Sequence, residues 1–206
     1  MSSVQPLAPQ TRSKAEILRR LRTYSVPDAP LPDPIDGPWI TYPDRIAQLA
    51  SAVQGVGGEC KCVADIAAVH EDLLSYPEYQ AAELCWSNLP GIPGNVDLSA
   101  VDRPHDLERV DFTIYRGTLA VAENGAVFVS DVDVPHRVIF FIAQHLILLV
   151  DRCDVVDTMH DAYRKIELGG RGFDCFISGP SKTADIEQSL VIGAHGCRSM
   201  QLYILG

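Results

Sequence analysis

The apolar positions of the chain follow two periods, which predict where helices and strands lie. Over residues 11–25, Ile17, Leu18 and Leu21 fall on one face of a helix that begins with a capping box from Ser13 to Glu16. Helical spacing recurs over residues 44–56, 64–74 and 155–166. Short apolar runs typical of strands cover residues 60–63, 83–86, 110–115, 118–122, 126–130, 146–150, 173–178 and 200–205.

Helices and strands alternate from residue 44 onward, and most of the strands are continuously apolar. Because such strands are covered on both faces, the pattern predicts an α/β fold with a mostly parallel, covered sheet. Residues 118–130 differ, since Asn124-Gly125 lies between two apolar runs. That dipeptide predicts a local antiparallel β-hairpin closed by a type I′ turn.

A proline-rich stretch separates the first helix from this alternating pattern. Six of the fourteen prolines lie between Pro27 and Pro43, a density that neither a helix nor a central strand tolerates. We therefore expect residues 1–43 to be an N-terminal helix and an extended connector with Trp39 as one apolar anchor. Residues 44–206 are expected to form a single domain.

Composition and charge narrow the classes of partner. The 206 residues are 47% apolar and 21% charged, with a formal net charge of −10, which disfavours nucleic acid and anionic lipid unless a local basic stripe is present. The densest basic stretch is Arg12–Arg22. The apolar run 138–150 is too short to span a membrane, and residues 1–9 lack the features of a signal peptide, so the sequence predicts a cytoplasmic protein.

The cysteines and histidines do not have the spacing of metal or cluster ligands. Cys60 and Cys62 are the one close cysteine pair, and they are not a C-x-x-C motif. We expect reduced, buried thiols and no metal site in this chain. Neither a G-x-G-x-x-G motif nor a P-loop nor a G-x-S-x-G elbow is present, which disfavours the usual nucleotide-binding enzymes and serine hydrolases.

The tip of the predicted hairpin presents one acidic residue, Glu123. It is the only acid between Asp111 and Asp131, so it is a candidate base or nucleophile, although a solvated turn carboxylate explains it equally simply. The neighbouring Asn124 and Gly125 are candidate ligand-binding residues.

A second candidate site follows the strand predicted over residues 173–178. A tight Gly179-Pro180 turn leads into residues 181–187, for which we expect a helix capped by Ser181 or Thr183. Ligands of α/β sheets bind beyond the carboxyl ends of strands, and a polar ligand fits better than a bare phosphate because Asp185 and Glu187 repel anions. The candidate ligand-binding residues of this loop are Ser178, Gly179, Ser181, Lys182, Thr183 and Asp185.

A third loop is expected between a short helix and the last strand. Gly193 and Gly196 flank His195 there, and we expect the loop to face Ser181. His195 is either a candidate catalytic residue or a structural histidine held by hydrogen bonds.

The segment Gly179-Pro-Ser-Lys-Thr-Ala-Asp-Ile-Glu187, continued by Ser189-Leu-Val-Ile-Gly-Ala-His-Gly196, closely resembles the signature of the lactate utilization protein C family, the LUD domain. The hairpin with Ala-Glu-Asn-Gly and the strand from His145 to Val150 also resemble that family. The resemblance covers residues 44–206 and implies a fold like that of ribose-5-phosphate isomerases, glucosamine-6-phosphate isomerases (NagB) and CoA-transferases. One departure is Cys197, where proline is expected.

The resemblance implies a role in a three-protein system that oxidises L-lactate to pyruvate. Iron-sulfur clusters are then expected in the partner subunits and no cofactor in this chain, which would bind a small polar or anionic ligand. Whether the chain is itself catalytic stays open. Ala-Glu-Asn-Gly also looks like the Ser-Glu-Asn-Gly motif of CoA-transferases, which implies Glu123 as nucleophile, and a non-catalytic assembly or regulatory subunit is the third possibility.

Overall fold

The computed structural model describes residues 11–24, 37–166, 172–186 and 189–206. The chain divides into two compact units, residues 1–34 and 35–206, whereas the sequence predicted a boundary between residues 43 and 44. In the first unit the predicted helix is present as α1 (Thr11–Thr23), and its apolar residues Ile17, Leu18 and Leu21 are exposed. Of the connector predicted between Pro27 and Pro43, the part up to residue 36 lies outside the described residues.

The second unit is a mixture of helices and strands. Its helices are α2 (Arg45–Gly55), α3 (Ile66–Leu73), α4 (Pro77–Gln80), α5 (Ile139–Ile142) and α6 (Met159–Lys165), with 3₁₀ turns at Leu98–Ala100, Pro104–Leu107 and Arg152–Asp154. Its strands are β1 (Glu59–Val63), β2 (Cys85–Ser87), β3 (Phe112–Arg116), β4 (Leu119–Val121), β5 (Ala126–Ser130), β6 (His145–Asp151), β7 (Val155–Val156), β8 (Asp174–Ile177), β9 (Lys182–Ile186), β10 (Ser189–Ile192) and β11 (Ser199–Leu205).

Five of the described strands form a parallel sheet in the order β1-β11-β6-β3-β2. Alternate residues of β6 pack into two separate cores, Leu148 on the side of α2 and Leu149 on the side of α3. Both faces of the sheet are therefore covered, as near-continuous apolar strands require. The predicted α/β class and mostly parallel sheet are confirmed.

A second sheet has the order β7-β4-β5-β8. The hairpin β4–β5 is antiparallel as predicted, β7 runs parallel to β4, and β8 runs antiparallel to β5. The strands β7, β4 and β8 therefore point the same way, and their carboxyl ends meet at one edge. The helix predicted over residues 155–166 is wrong at its start. Val155 and Val156 are buried strand residues beside β4, and the helix begins at Met159, where Thr158 is the N-cap and forms a capping box with Asp161.

The helix expected after Gly179 is also wrong. Residues 182–186 form β9, which pairs with β10 in a separate two-stranded sheet. The backbone of Ser181 explains the change, because its N–H donates to the Cys197 carbonyl and its carbonyl accepts from Gly193 N–H. These contacts bring the segments of β9 and β10 together. In addition, β-branched residues such as Thr183 and Val191 favour a strand over a helix. The helix expected just before Gly193 is likewise a strand, β10.

Candidate functional site

The hairpin tip at Glu123 has four connecting residues, not the predicted two. The last β4–β5 pair is Val121 with Ala126, because the N–H groups of Ala122 and Glu123 donate to Val156 and Asp157 on the β7 side. The type I′ prediction is therefore wrong. Instead, Gly125 adopts φ +70° and donates to the Val121 carbonyl, and the side-chain oxygen of Asn124 accepts from Ala126 N–H at 3.1 Å.

Two glycines let this tip and the Gly179 turn approach the end of α2. A Cβ on Gly125 would lie 2.9 Å from the Val53 nitrogen, and one on Gly179 would lie 2.5 Å from the Val56 carbonyl oxygen. Gly179 also has φ +78°, a conformation that favours glycine. Backbone therefore meets backbone at both places, with no room for a side chain.

The hairpin tip and the end of β8 are joined by a hydrogen bond. Ser178 Oγ donates to the Asn124 carbonyl at 2.8 Å, and Ser178 is exposed. The contact lies at the edge where the carboxyl ends of β4, β7 and β8 meet, which is the end of the strands at which α/β proteins bind ligands. The structure thus places Glu123, Asn124, Gly125, Ser178 and Gly179 together.

Glu123 itself is exposed, and its Oε2 accepts from Met159 N–H at 2.9 Å. The carboxylate therefore caps the first turn of α6, which fixes its orientation and engages one of its two oxygens. This position is compatible with both hypotheses for Glu123 from the sequence, namely a structural turn carboxylate and a base or nucleophile.

Asp157 is a residue of this edge that sequence reasoning missed. Its side chain is buried and accepts from Tyr42 N–H at 3.2 Å, and it forms an ion pair with Arg45 at 3.3 Å. Close by in the chain, His160 stacks on Trp39 with ring centroids 3.6 Å apart. The sequence signal was the pair of valines before Asp157, which mark a strand end rather than the middle of a helix.

The third predicted loop meets Ser181, as expected. Gly196 lies against Ser181, where an added Cβ would be 2.9 Å from the Ser181 Cβ. His195 is exposed and lines a cavity of about 170 Å³ together with Ser181, Gly196 and apolar residues that include Phe141 and Ile177. The predicted catalytic role of His195 stays a prediction.

The remaining predicted residues lie on β9. Lys182 is exposed and pairs with Ile192, and Thr183 is half-buried and pairs with Val191. Asp185 is part of the same strand, and its side chain and Glu187 lie outside the described residues. Because a strand replaces the expected helix, this loop offers no helix N-terminus to a ligand.

The thiols and metal-ligand residues add no further site in the described part of the chain. Among the described residues, no group of three His, Cys, Asp or Glu side chains is arranged to hold a metal ion. All six cysteines are free, but the expectation that they are buried fails for Cys62 and Cys153, which are exposed. Burial raises the pKa of Cys60 to about 12 and of Cys85 and Cys175 to about 11.

Comparison with known proteins identifies curated relatives. A protein named lactate utilization protein C from Geobacillus thermodenitrificans is 31% identical over 136 residues, which cover 63% of this chain and 52% of the relative. A protein of the same name from Geobacillus kaustophilus is 36% identical over 43% of this chain and 40% of its own length. Another, from Bacillus pumilus, is 31% identical over 50% of this chain and 45% of its own length. The chain therefore spans about half the length of the relatives it matches.

A solved structure shares the fold. It is a DUF162 family protein from Deinococcus radiodurans, with a TM-score of 0.56 and 17% identity, covering 79% of this chain and 96% of the other. In the described residues, no helix is long and apolar enough to cross a membrane. A family model for the LUD domain matches residues 43–205, which include every candidate site residue described above. The chain belongs to the LUD domain family.

Proposed function

We propose that this chain is a subunit of a system that oxidises L-lactate to pyruvate in the cytoplasm. Its LUD domain binds a small polar or anionic ligand, and partner subunits hold the iron-sulfur clusters through which electrons leave. The names of the relatives, lactate utilization protein C, support the metabolic role.

The observation that most supports a ligand site is the contact between Ser178 Oγ and the Asn124 carbonyl. It joins two loops that are 54 positions apart in sequence, at the edge where three strands end. Ser178 presents an exposed hydroxyl there, and the exposed Lys182 is available nearby in the chain for an anionic group.

The proposal is tested by deleting the gene in its host and measuring growth on L-lactate as sole carbon source. The wild-type gene should restore growth, while Ser178→Ala should restore it at least about tenfold more slowly because a ligand-binding hydroxyl is lost. Ser99→Ala is the matched control, since Ser99 is an exposed serine whose hydroxyl bonds only to Asp97 in the described contacts. Unimpaired growth of the deletion strain would contradict the metabolic role.

The proposed partners are tested by affinity purification under anaerobic conditions. The wild-type chain should retain proteins that show the visible absorbance of iron-sulfur clusters, and metal analysis should assign the iron to those proteins. Recovery of the chain alone from cells growing on lactate would exclude a stable assembly.

A CoA-transferase-like reaction at Glu123 is the second candidate. The exposed, oriented carboxylate of Glu123 supports it. The free Glu123 oxygen would attack the carbonyl carbon of an acyl-CoA and expel the CoA thiolate, giving a mixed anhydride. The thiolate would then attack the Glu123 carbonyl, releasing the carboxylic acid and leaving CoA as a glutamyl thioester.

Covalent uptake of labelled CoA tests this candidate. Incubation with labelled acetyl-CoA should attach CoA to the peptide that contains Glu123, and Glu123→Gln should abolish the label while keeping a side-chain oxygen for Met159 N–H. Glu71→Gln, at an exposed carboxylate of α3, should leave uptake unchanged. An unlabelled wild-type protein would eliminate the transferase reaction without touching the lactate proposal.

A further inference from the structure

A second cavity, of about 240 Å³, opens where the parallel strands begin. The first residues of four strands line it, namely Glu59 of β1, Phe112 of β3, His145 of β6 and Ser199 of β11. Tyr76 and Gln201 add polar atoms to the wall, and the Tyr76 hydroxyl accepts hydrogen bonds from Lys61 and Gln201 at 2.7 and 2.8 Å. The cavity thus has a fixed polar wall, and none of the candidate residues of the Glu123 edge lines it.

A serine and a histidine are paired inside this cavity. Ser199 and His145 are opposite each other in the β11–β6 register, and His145 Nδ1 lies 2.8 Å from Ser199 Oγ. The imidazole stacks on Phe112 with ring centroids 4.5 Å apart, and the backbone N–H of His145 donates to the Asp111 carbonyl at 2.8 Å, which fixes the start of β6 beneath the ring. This is the geometry of a hydroxyl beside a positioned general base.

The surroundings keep the imidazole in the form that a base requires. Burial is the largest influence and lowers the pKa of His145; the charges of Glu78 and Asp111 oppose this shift, and Arg198 reinforces it. The lowered pKa favours the neutral ring, which can take the hydroxyl proton of Ser199. The carboxylate of Glu78, which lines the cavity, then stabilises the imidazolium that forms.

We propose that Ser199, with His145 as its base, is a nucleophile that hydrolyses small uncharged carboxylic esters. Ser199 Oγ forms a bond to the ester carbonyl carbon while its proton passes to His145 Nδ1. The alcohol leaves with that proton, and an acyl-serine remains. Water, deprotonated by His145, then attacks the acyl-serine and releases the carboxylic acid, which restores both side chains.

The cavity wall defines the substrate class. Leu73, Phe112, Ile147 and Met200 form an apolar surface for an acyl chain, and about 240 Å³ is the volume of roughly eight water molecules at about 30 Å³ each, which suits a short acyl chain. Glu59 and Glu78 repel an acyl group that has its own carboxylate. A butyryl ester should therefore react at least about tenfold faster than the corresponding monosuccinyl ester.

The test uses the 206-residue chain and an alkyl fluorophosphonate, which phosphonylates activated serines. After trypsin cleavage at Arg198, the peptide of residues 199–206 contains hydroxyl groups only at Ser199 and the buried Tyr203, so mass spectrometry locates the adduct without any variant. We expect the adduct on Ser199. An unmodified 199–206 peptide after prolonged exposure would refute the proposal.

Variants then distinguish a Ser199 that is activated by His145 from a Ser199 that is merely accessible to the reagent. His145→Asn should slow labelling by on the order of 100-fold, and Ser199→Ala should remove both the label and p-nitrophenyl butyrate hydrolysis. Ser99→Ala should change neither rate, and each variant should match the wild-type thermal unfolding curve. Equal labelling of wild type and His145→Asn would overturn the role of His145, while hydrolysis that persists in Ser199→Ala would place the reaction elsewhere. The growth and CoA experiments above do not depend on this result.

Discussion

At the scale of single residues, two close backbone approaches define the Glu123 edge. Gly179 meets the Val56 carbonyl, and Gly125 meets the backbone of Val53. Both glycines have positive φ, so a side chain would add backbone strain to a steric clash. The β4–β5 hairpin tip and the Gly179-Pro180 turn after β8 thus pack against α2 at two glycines, where a hydrogen atom fits and a side chain does not.

Gly179→Ala should lower the free energy of unfolding by about 2–3 kcal/mol, because the new methyl group meets a carbonyl oxygen and the residue keeps φ +78°. Urea denaturation measures the loss. Gly55→Ala is the control: its Cβ meets nothing within 4 Å, and alanine favours the helix, so stability should stay equal or rise. Equal destabilisation by both substitutions would mean that the Gly179 turn is not tightly packed.

The thiols should fall into two reactivity classes. Cys62 and Cys153 are exposed, whereas burial raises the pKa of Cys85 and Cys175 to about 11 and of Cys60 to about 12. At pH 8 a thiol of pKa about 11 is roughly 0.1% thiolate, the form that reacts. Mass mapping of iodoacetamide labelling should therefore find Cys62 and Cys153 modified first, and early labelling of Cys60 would contradict the described packing.

At the scale of elements, one polar cluster links α3 to the parallel sheet. Asp72 of α3 accepts from Lys61 Nζ of β1 at 2.7 Å and from Tyr203 of β11 at 2.7 Å. Desolvation raises the pKa of Asp72, but the hydrogen bonds from Lys61 and Tyr203 outweigh it, and the net pKa is lowered. The ionised carboxylate therefore favours the folded state.

Asp72→Asn should cost about 1–2 kcal/mol of stability at pH 7, a value reduced for partial solvent screening of Lys61. Since the pKa of Asp72 is lowered on folding, its contribution is complete above its unfolded pKa of about 4 and disappears as the pH falls through the folded value. Urea unfolding of wild type and variant at pH 7 and pH 3.5 should show the gap narrowing. A gap that widens in acid would assign the loss to another cause.

Elements with a strong local period were predictable, and those defined by distant partners were not. The strand over residues 126–130 was predicted at its observed bounds because its apolar run is flanked by turn residues. The sequence around Ser181 resembles a helix start, and only the hydrogen bonds with Cys197 and Gly193 select a strand. Likewise, the contacts among the three candidate loops could be anticipated, while the side-chain partners of Asp157, Tyr42 and Arg45, lie more than a hundred positions away in the sequence.

At the scale of the whole molecule, the start of the second unit can be located by truncation. Trp39 stacks on His160, and Tyr42 N–H donates to Asp157, so residues before 44 contact the body of the fold. A chain that begins at residue 44 should be less stable than one that begins at residue 37, by about 1–3 kcal/mol. Equal thermal unfolding midpoints for the two truncated chains would support the boundary between residues 43 and 44 that the sequence predicted.

The order of strands in the parallel sheet also has a consequence for how the protein is made. β11, residues 199–205, lies between β1 and β6, so the earlier strands lack a central neighbour until it is added. A ribosome exposes β11 after every other strand described here, and long-range parallel pairing is slow. During synthesis the edges of β1 and β6 therefore stay open, and this interval is when the nascent chain most needs protection by chaperones.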